Sequence, residues 1–109
     1  ILLNGVEKIE KGMKNANAFQ TLKGIITSDK AVVEVNPILL IDEYDVKAGH
    51  GATIGRIEEE QLYYLQSRGL NRAEAEKLII NGFLKPVIDE IDDEPLRERF
   101  VNLVNSRIW

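Results

Sequence analysis

The side chain best suited to chemistry is His50, the single histidine in a chain of 109 residues. It lies within Lys47–Thr53, KAGHGAT, where small neighbours leave the imidazole accessible to a ligand or to another chain. A neutral imidazole is a good ligand for iron and other transition metals, but a single histidine more often has a structural role. The residue types alone leave both roles open and favour the structural one.

Most other kinds of reactive site are missing from the sequence. It has no cysteine, which excludes a disulfide framework and any zinc or iron–sulfur site built wholly from this chain's own thiolates. It has no Walker-type phosphate loop, nucleophile elbow or His-Glu-x-x-His motif. A polysaccharide-active site needs converging carboxylates, and Asp42, Glu43 and Asp45 are expected to be a solvated loop cluster instead. We therefore predict that the chain is not an enzyme.

Charge and length limit the partners of the chain. The net charge is −4, with seven basic and seven acidic residues in 1–56 but seven and eleven in 57–109. This balance speaks against nucleic acid, which requires a clustered cationic face. No apolar run approaches the roughly 18 residues of a membrane span, so we expect a soluble, cytoplasmic protein. The chain begins at Ile1 without a methionine, and we interpret it as an excerpt from a longer protein.

The elements that must position His50 change character near Arg56. Residues 1–56 suggest short strands separated by turns, among them Ala31–Val35, Ile38–Ile41 and an extended stretch at Val46–Arg56. Ile38–Ile41 is continuously apolar and is expected to be buried on both faces. The spacing of the strands fits either a sandwich or a stacked parallel coil, and the pattern alone does not separate them.

Residues 57–109 are predicted to be helical. The glutamates Glu58–Glu60 favour a helix start, and Gly69 indicates the C-terminal end of that helix. Asn71 and Glu74 have the spacing of a capping box. The following apolar face is expected at Ala75, Leu78, Ile79 and Gly82.

The end of the helical region contains two prolines. Pro86 indicates either two short helices or one kinked helix, and Asp92–Pro95 indicates the start of the last helix. The apolar stripe of the last helix is expected at Leu96, Phe100, Leu103, Val104 and Ile108. The aromatic residues of the helical region are expected to pack or to lie at its rim: Tyr63, Tyr64 and Trp109.

Two long runs resemble a known family. Val46–Ile57 (VKAGHGATIGRI), followed by Gln61–Leu70 (QLYYLQSRGL), closely resembles the C-terminal part of the SufB/SufD family, scaffold components of the SUF iron–sulfur cluster assembly machinery. Asn36–Ile41 and Ala73–Leu84 also fit, so the resemblance covers nearly the whole chain. The His-Gly-Ala-Thr run with Gly55 looks more like the SufD branch than the SufB branch.

The resemblance implies an α+β fold, the end of a right-handed parallel β-helix followed by a C-terminal helical subdomain. Residues 1–56 would form the last coils of the β-helix, and residues 57–109 the helical subdomain. It further implies pairing with a SufB-like subunit through the β part and docking of a SufC-like ABC ATPase through the helices. A homodimer of the isolated fragment is left open.

The resemblance also implies a role for His50 as a ligand of iron or a nascent cluster at the partner interface. Some relatives carry a cysteine two residues before this histidine, where the present chain has Ala48, so any thiolate would come from the partner. No cofactor is expected on the fragment alone, only transient iron or a cluster in the complex. The alternative is an interaction module in which His50 merely packs at the joint. The partner-binding residues predicted on this basis are Gly49, Gly51, Thr53, Tyr64 and Arg68.

Overall fold

A computed structural model describes residues 1–108 and shows a mixed α+β structure. These residues form two compact units that meet in sequence between Arg56 and Ile57, here called the β unit and the helical unit. None of the described helices has both the length and the apolar character that a membrane span requires. The elements are β1 Leu2–Ile9, β2 Asn17–Ile26, β3 Glu34–Ile41, β4 Lys47–Arg56, α1 Glu59–Ser67, α2 Arg72–Ile88 and α3 Glu94–Ile108.

The strands of the β unit pair in parallel, each with the second strand along the chain. β1 pairs with β3, beginning with Leu2 opposite Glu34, and β2 pairs with β4, beginning with Asn17 opposite Lys47. Both pairs therefore join residues about 30 positions apart. Parallel strands require a long connection between partners, and here each connection contains a strand of the other pair. The strands of the two sheets therefore alternate along the sequence. They do not form an antiparallel sandwich.

One face of each sheet is turned toward the other sheet, and we call it the inner face. Leu22 of β2 lies so close to Gly5 of β1 that a Cβ on this glycine would stand 2.9 Å from a Leu22 methyl carbon. A Cβ on Gly24 of β2 would similarly stand 2.7 Å from a methyl carbon of Val33. Because side chains alternate along a strand, these contacts assign odd positions of β1 and even positions of β2 to the inner face. Ile9, an inner residue of β1, is only 4% exposed.

Two expectations for the β unit are wrong. The strand expected at Ala31–Val35 begins only at Glu34. Ile38–Ile41 does form a strand, but it is not buried on both faces, since Ile38 is 39% and Leu40 48% exposed. These two residues occupy the outer face of a two-stranded sheet, which the described residues leave uncovered.

The helical unit begins as the sequence predicts. Glu58 is the N-cap of α1, and Gly69 ends the helix with a φ of +103°, a conformation that glycine adopts without a Cβ penalty. The capping box of α2 is present: the Asn71 side chain accepts from the backbone N–H of Glu74 at 2.9 Å, and the Glu74 carboxylate accepts from the N–H of Asn71 at 2.8 Å. Leu62, almost completely buried, is the central apolar residue of α1, and its burial stabilises the unit by about 2 kcal/mol.

The apolar face of α2 differs from the one expected. Ala75 and Ile80 are its buried residues, whereas Leu78 is 54% exposed. α2 also continues through Pro86 to Ile88 as one helix, so the two-helix alternative is wrong. Pro86 lies in the last turn, where the missing N–H costs only one hydrogen bond near a helix end.

The last helix is capped but its apolar stripe is open. Asp93 accepts from the N–H of Leu96 at 2.9 Å, as expected of a cap in the Asp92–Pro95 segment. Leu96, Phe100 and Leu103 are exposed and Val104 is half-buried, so most of the stripe is not packed within the described residues. The side chain of Ile108, and Trp109 altogether, lie outside the described part of the chain.

The capping box predicts a local loss of stability on Asn71→Ala. The variant leaves the Glu74 N–H without its acceptor, and we expect the opening free energy of the first turn of α2 to fall by about 1 kcal/mol. Hydrogen exchange of the α2 amides in the full-length protein measures this change. Asn102→Ala, on the exposed face of α3, is the matched control and should leave α2 protection unchanged. Equal protection in both variants would contradict the prediction.

The ion pair that joins α1 to α2 predicts a pH effect. Arg72 donates to both carboxylate oxygens of Glu59, at 2.8 and 3.2 Å, and these hydrogen bonds, followed by the guanidinium charge, hold the pKa of Glu59 below its usual 4.5. Since the folded pKa is the lower one, the pair contributes stability above about pH 4.5 and loses it as the pH falls through the lowered pKa. Arg72→Gln should raise the Glu59 pKa toward 4.5 in an NMR titration of the labelled carboxyl group. Arg99→Gln on α3 should not change it, and a Glu59 pKa that stays low without Arg72 would show that another cause lowers it.

Candidate functional site

His50 occupies the middle of β4, with the glycines Gly49 and Gly51 on either side. Its side chain is exposed, and it makes no hydrogen bond or ion pair with any other residue of the described chain. Within residues 1–108, β4 is hydrogen-bonded to β2 on one side only, so it is an edge strand. The imidazole is therefore available at a free sheet edge.

The register of β2 and β4 decides what surrounds His50. The residue opposite His50 is Gln20, and side chains opposite each other on parallel strands lie on the same face. Gln20, like Leu22, is an even position of β2, so His50 is on the inner face of its sheet. The Gln20 amide donates from Nε2 to the carbonyl oxygen of Ile38 at 3.0 Å.

The three small residues predicted to bind a partner lie on the other face. Gly49, Gly51 and Thr53 are odd positions of β4, and strand alternation turns them away from the face of His50. Gly49 is covered by Phe19, the residue opposite it: a Cβ on Gly49 would stand 2.5 Å from a ring carbon of Phe19. Phe19 is itself 73% exposed. The structure therefore divides the KAGHGAT run between two surfaces, the His50 face and a flat outer face.

Tyr64 of α1 and Arg68, the C-cap residue of that helix, form a separate cluster in the helical unit. The Arg68 guanidinium carbon lies 5.3 Å from the centre of the Tyr64 ring, within the range of a cation–π contact. Tyr64 also lines a shallow groove of about 450 Å³ between α1 and α2, together with Glu60, Gln61, Leu65 and Ile79. The groove combines apolar walls with an acidic and an amide side chain at one end.

The acidic residues before β4 hold a turn together. The Glu43 carboxylate accepts from the N–H of Gly12 at 2.9 Å and from the N–H of Tyr44 at 3.1 Å. The Asp45 carbonyl oxygen accepts from the N–H of Asn15, whose φ is +63°. The Glu43 carboxylate therefore joins the loop at Gly12 to the loop at Tyr44, which is a structural role. Among the described residues, no group of three or more His, Asp or Glu side chains is arranged to hold a metal ion.

Sequence reasoning missed Phe19 and Gln20, the two residues of β2 that lie beside Gly49 and His50. Nothing in their local sequence indicates this role, because it follows from a pairing about 30 residues away. A search for strands repeated at this interval would have been the available signal.

Comparison with known proteins identifies the family. A family model described as SUF system FeS cluster assembly, SufBD core domain, matches residues 2–83. The chain is 47% identical over 107 residues to iron–sulfur cluster assembly protein SufD of Bacillus subtilis, covering 98% of this chain and 24% of that protein. It is 32% identical over 107 residues to the SufD protein of Escherichia coli, covering 98% of this chain and 25% of that protein. It is 33% identical over 106 residues to a SufBD family protein of Synechocystis, covering 97% of this chain and 23% of that protein. The chain thus spans about a quarter of the length of the curated relatives it matches. It belongs to the SufBD family of SUF-system iron–sulfur cluster assembly proteins, and within that family it is SufD-like.

Proposed function

We propose that the chain acts as a non-catalytic scaffold in iron–sulfur cluster assembly, with iron or a nascent cluster as its cargo at a shared interface. The observation that carries the proposal is the position of His50: an exposed imidazole on an edge strand, without a partner among the described side chains. Unpaired N–H and C=O groups on an edge strand accept a strand from another chain. A SufB-like subunit that pairs at β4 would meet His50 directly.

The β unit fits the last coils of a right-handed parallel β-helix. Two parallel pairs with the same interval of about 30 residues are what two stacked coils would produce, each coil contributing one strand to each sheet. Stacked repeats bury their faces against neighbouring coils. Leu3, an inner residue of β1, is 39% exposed, as expected where a further coil would add a strand beside β1 in a protein about four times as long as this chain.

In this role His50 supplies one ligand and the partner supplies the others. One imidazole is too few to hold iron, and the sequence has neither a second histidine nor a cysteine. A site divided between two subunits forms only when they are assembled. Thiolate or imidazole ligands from a SufB-like subunit, completing the shell around His50, would couple cluster formation to subunit pairing.

We also propose that the helical unit docks a SufC-like ABC ATPase, which would hydrolyse the ATP. The support is the groove lined by Tyr64 and Ile79 with Arg68 stacked beside it, since aromatic and arginine side chains are enriched among residues that dominate interfaces. The pair is surface-exposed, and its cation lies at the opposite end of α1 from Glu60, about 12 Å along the helix. Glu60 and Arg68 therefore offer both signs of charge to a partner.

The ligand role predicts a specific effect of substituting His50 in the assembled complex. His50→Gln in the full-length protein, co-purified with SufB-like and SufC-like subunits, should leave the complex intact but lower its iron and sulfide content by more than half. His50→Cys should retain most of the iron, because a thiolate also binds iron. Lys47→Ala on the same strand is the control.

A different outcome would favour the interaction module. If His50→Gln dissociated the complex on size-exclusion chromatography and His50→Cys did the same, the imidazole would be a packing residue at the joint. An intact complex with unchanged iron would exclude the ligand role.

The docking proposal predicts that Tyr64→Ala weakens binding of the ATPase subunit. The variant removes the ring that lines the groove and supports Arg68, and we expect the dissociation constant to rise by about tenfold. Tyr63→Ala is the matched control, since Tyr63 is the neighbouring exposed tyrosine and does not line this groove. Calorimetry with the full-length proteins measures both. Equal affinities for the two variants would place the docking surface elsewhere.

A further inference from the structure

Gln20 is a polar residue in an apolar setting, and its amide is held in one place. Apart from Gln20 and Glu7, the inner positions of β1, β2 and β3 carry apolar residues or glycine. Gln20 is half-buried, and an amide that is partly removed from water among such side chains needs hydrogen bonds from the protein in place of those lost. Gln20 meets this requirement by donating to the carbonyl oxygen of Ile38, and its Oε1 lies over Gly5, where any Cβ would collide with it. Gly5 thus makes room for this amide.

The position of the amide matters because Gln20 is the neighbour of His50. The parallel register places the two residues opposite each other on the inner face, with their strands about 4.8 Å apart. Gln20 is therefore the side chain next to the imidazole on the β2 side. On the other side of β4 no strand is paired within residues 1–108, and His50 is exposed.

We propose that Gln20 is a positioning residue for His50: by filling the inner space beside the imidazole, it keeps the ring at the open strand edge. The part of the proposal that concerns iron rests on the proposed function, whereas the effect on the ring itself does not. A metal ligand needs a fixed orientation, and residues that orient a ligand typically change metal affinity by about 10- to 100-fold when they are substituted. A shared site would need His50 already in place when the partner arrives.

The direct test measures the accessibility of His50 in the isolated full-length protein. Diethyl pyrocarbonate acylates the unprotonated imidazole, and trypsin cleavage after Lys47 and Arg56 releases a nine-residue peptide, AGHGATIGR, that contains His50. Gln20→Ala opens a space into which the ring can turn, so acylation of this peptide should slow several-fold. Thr21→Ala, on the outer face of the same strand, should leave the rate unchanged.

A second variant separates positioning from a general effect on the fold. Gln20→Met keeps the length of the side chain but cannot donate to Ile38. If Gln20 acts by filling the space beside His50, Gln20→Met restores the acylation rate. If its only task is the hydrogen bond that stabilises the β unit, Gln20→Met behaves like Gln20→Ala, and the proposal is wrong. It is equally wrong if Gln20→Ala and Thr21→Ala react at the same rate.

Iron titration of the assembled complex then connects the ring to its proposed task. We expect Gln20→Ala to lower the apparent iron affinity by about tenfold and Gln20→Met to restore it. If His50→Gln leaves iron binding unchanged, the proposed ligand role fails, and the acylation rates still decide whether Gln20 positions the ring. If His50→Gln removes iron but Gln20→Ala changes neither the acylation rate nor the affinity, the ligand role stands and the positioning role is overturned.

Discussion

The parallel register between strands about 30 residues apart is the constraint on which the rest of the β unit depends. It determines that Gln20 lies beside His50 and Phe19 beside Gly49, and within residues 1–108 it leaves β4 with one unpaired edge. Because side chains alternate along a strand, a shift of one residue in this register would move His50 to the outer face. The close contact of Gly49 with Phe19 opposes such a shift, since moving β4 by one residue would bring Ala48 or His50, each with a Cβ, opposite the ring.

Local features of the sequence predicted local features of the structure. The capping box at Asn71 and Glu74 and the helix end at Gly69 each depend on residues within one helical turn, so the sequence contains all the information they require. The change from strand to helix near Arg56 is similarly visible in the residue types. The family resemblance, carried by the runs around His50 and Tyr64, was confirmed by the SufBD core match.

Features that depend on distant partners were predicted poorly. The apolar pattern indicated that Ile38–Ile41 is a strand but not which of its faces would be covered, because that depends on the neighbouring sheet. Leu78 fits a helical apolar stripe and is nevertheless exposed, since the packing of α1 against α2 selects Ala75 and Ile80 instead. The run KAGHGAT looked like one site, but strand alternation divides it, and its division follows from β structure rather than composition.

This division has a chemical consequence for the proposed scaffold. With His50 as the proposed ligand on the inner face, Gln20 is its neighbour on the β2 side and no described strand lies on the other, so a strand that adds to β4 would most easily supply the remaining ligands. The outer face, with Gly49, Gly51 and the exposed ring of Phe19, is then free to make contacts of a different kind, without competing for iron. In the proposed scaffold, the candidate ligand and the glycine-rich surface would lie on opposite sides of one strand, one for metal chemistry and one for pairing. Gln20 links the two, because the same ladder that sets the pairing geometry also brings its amide beside the imidazole.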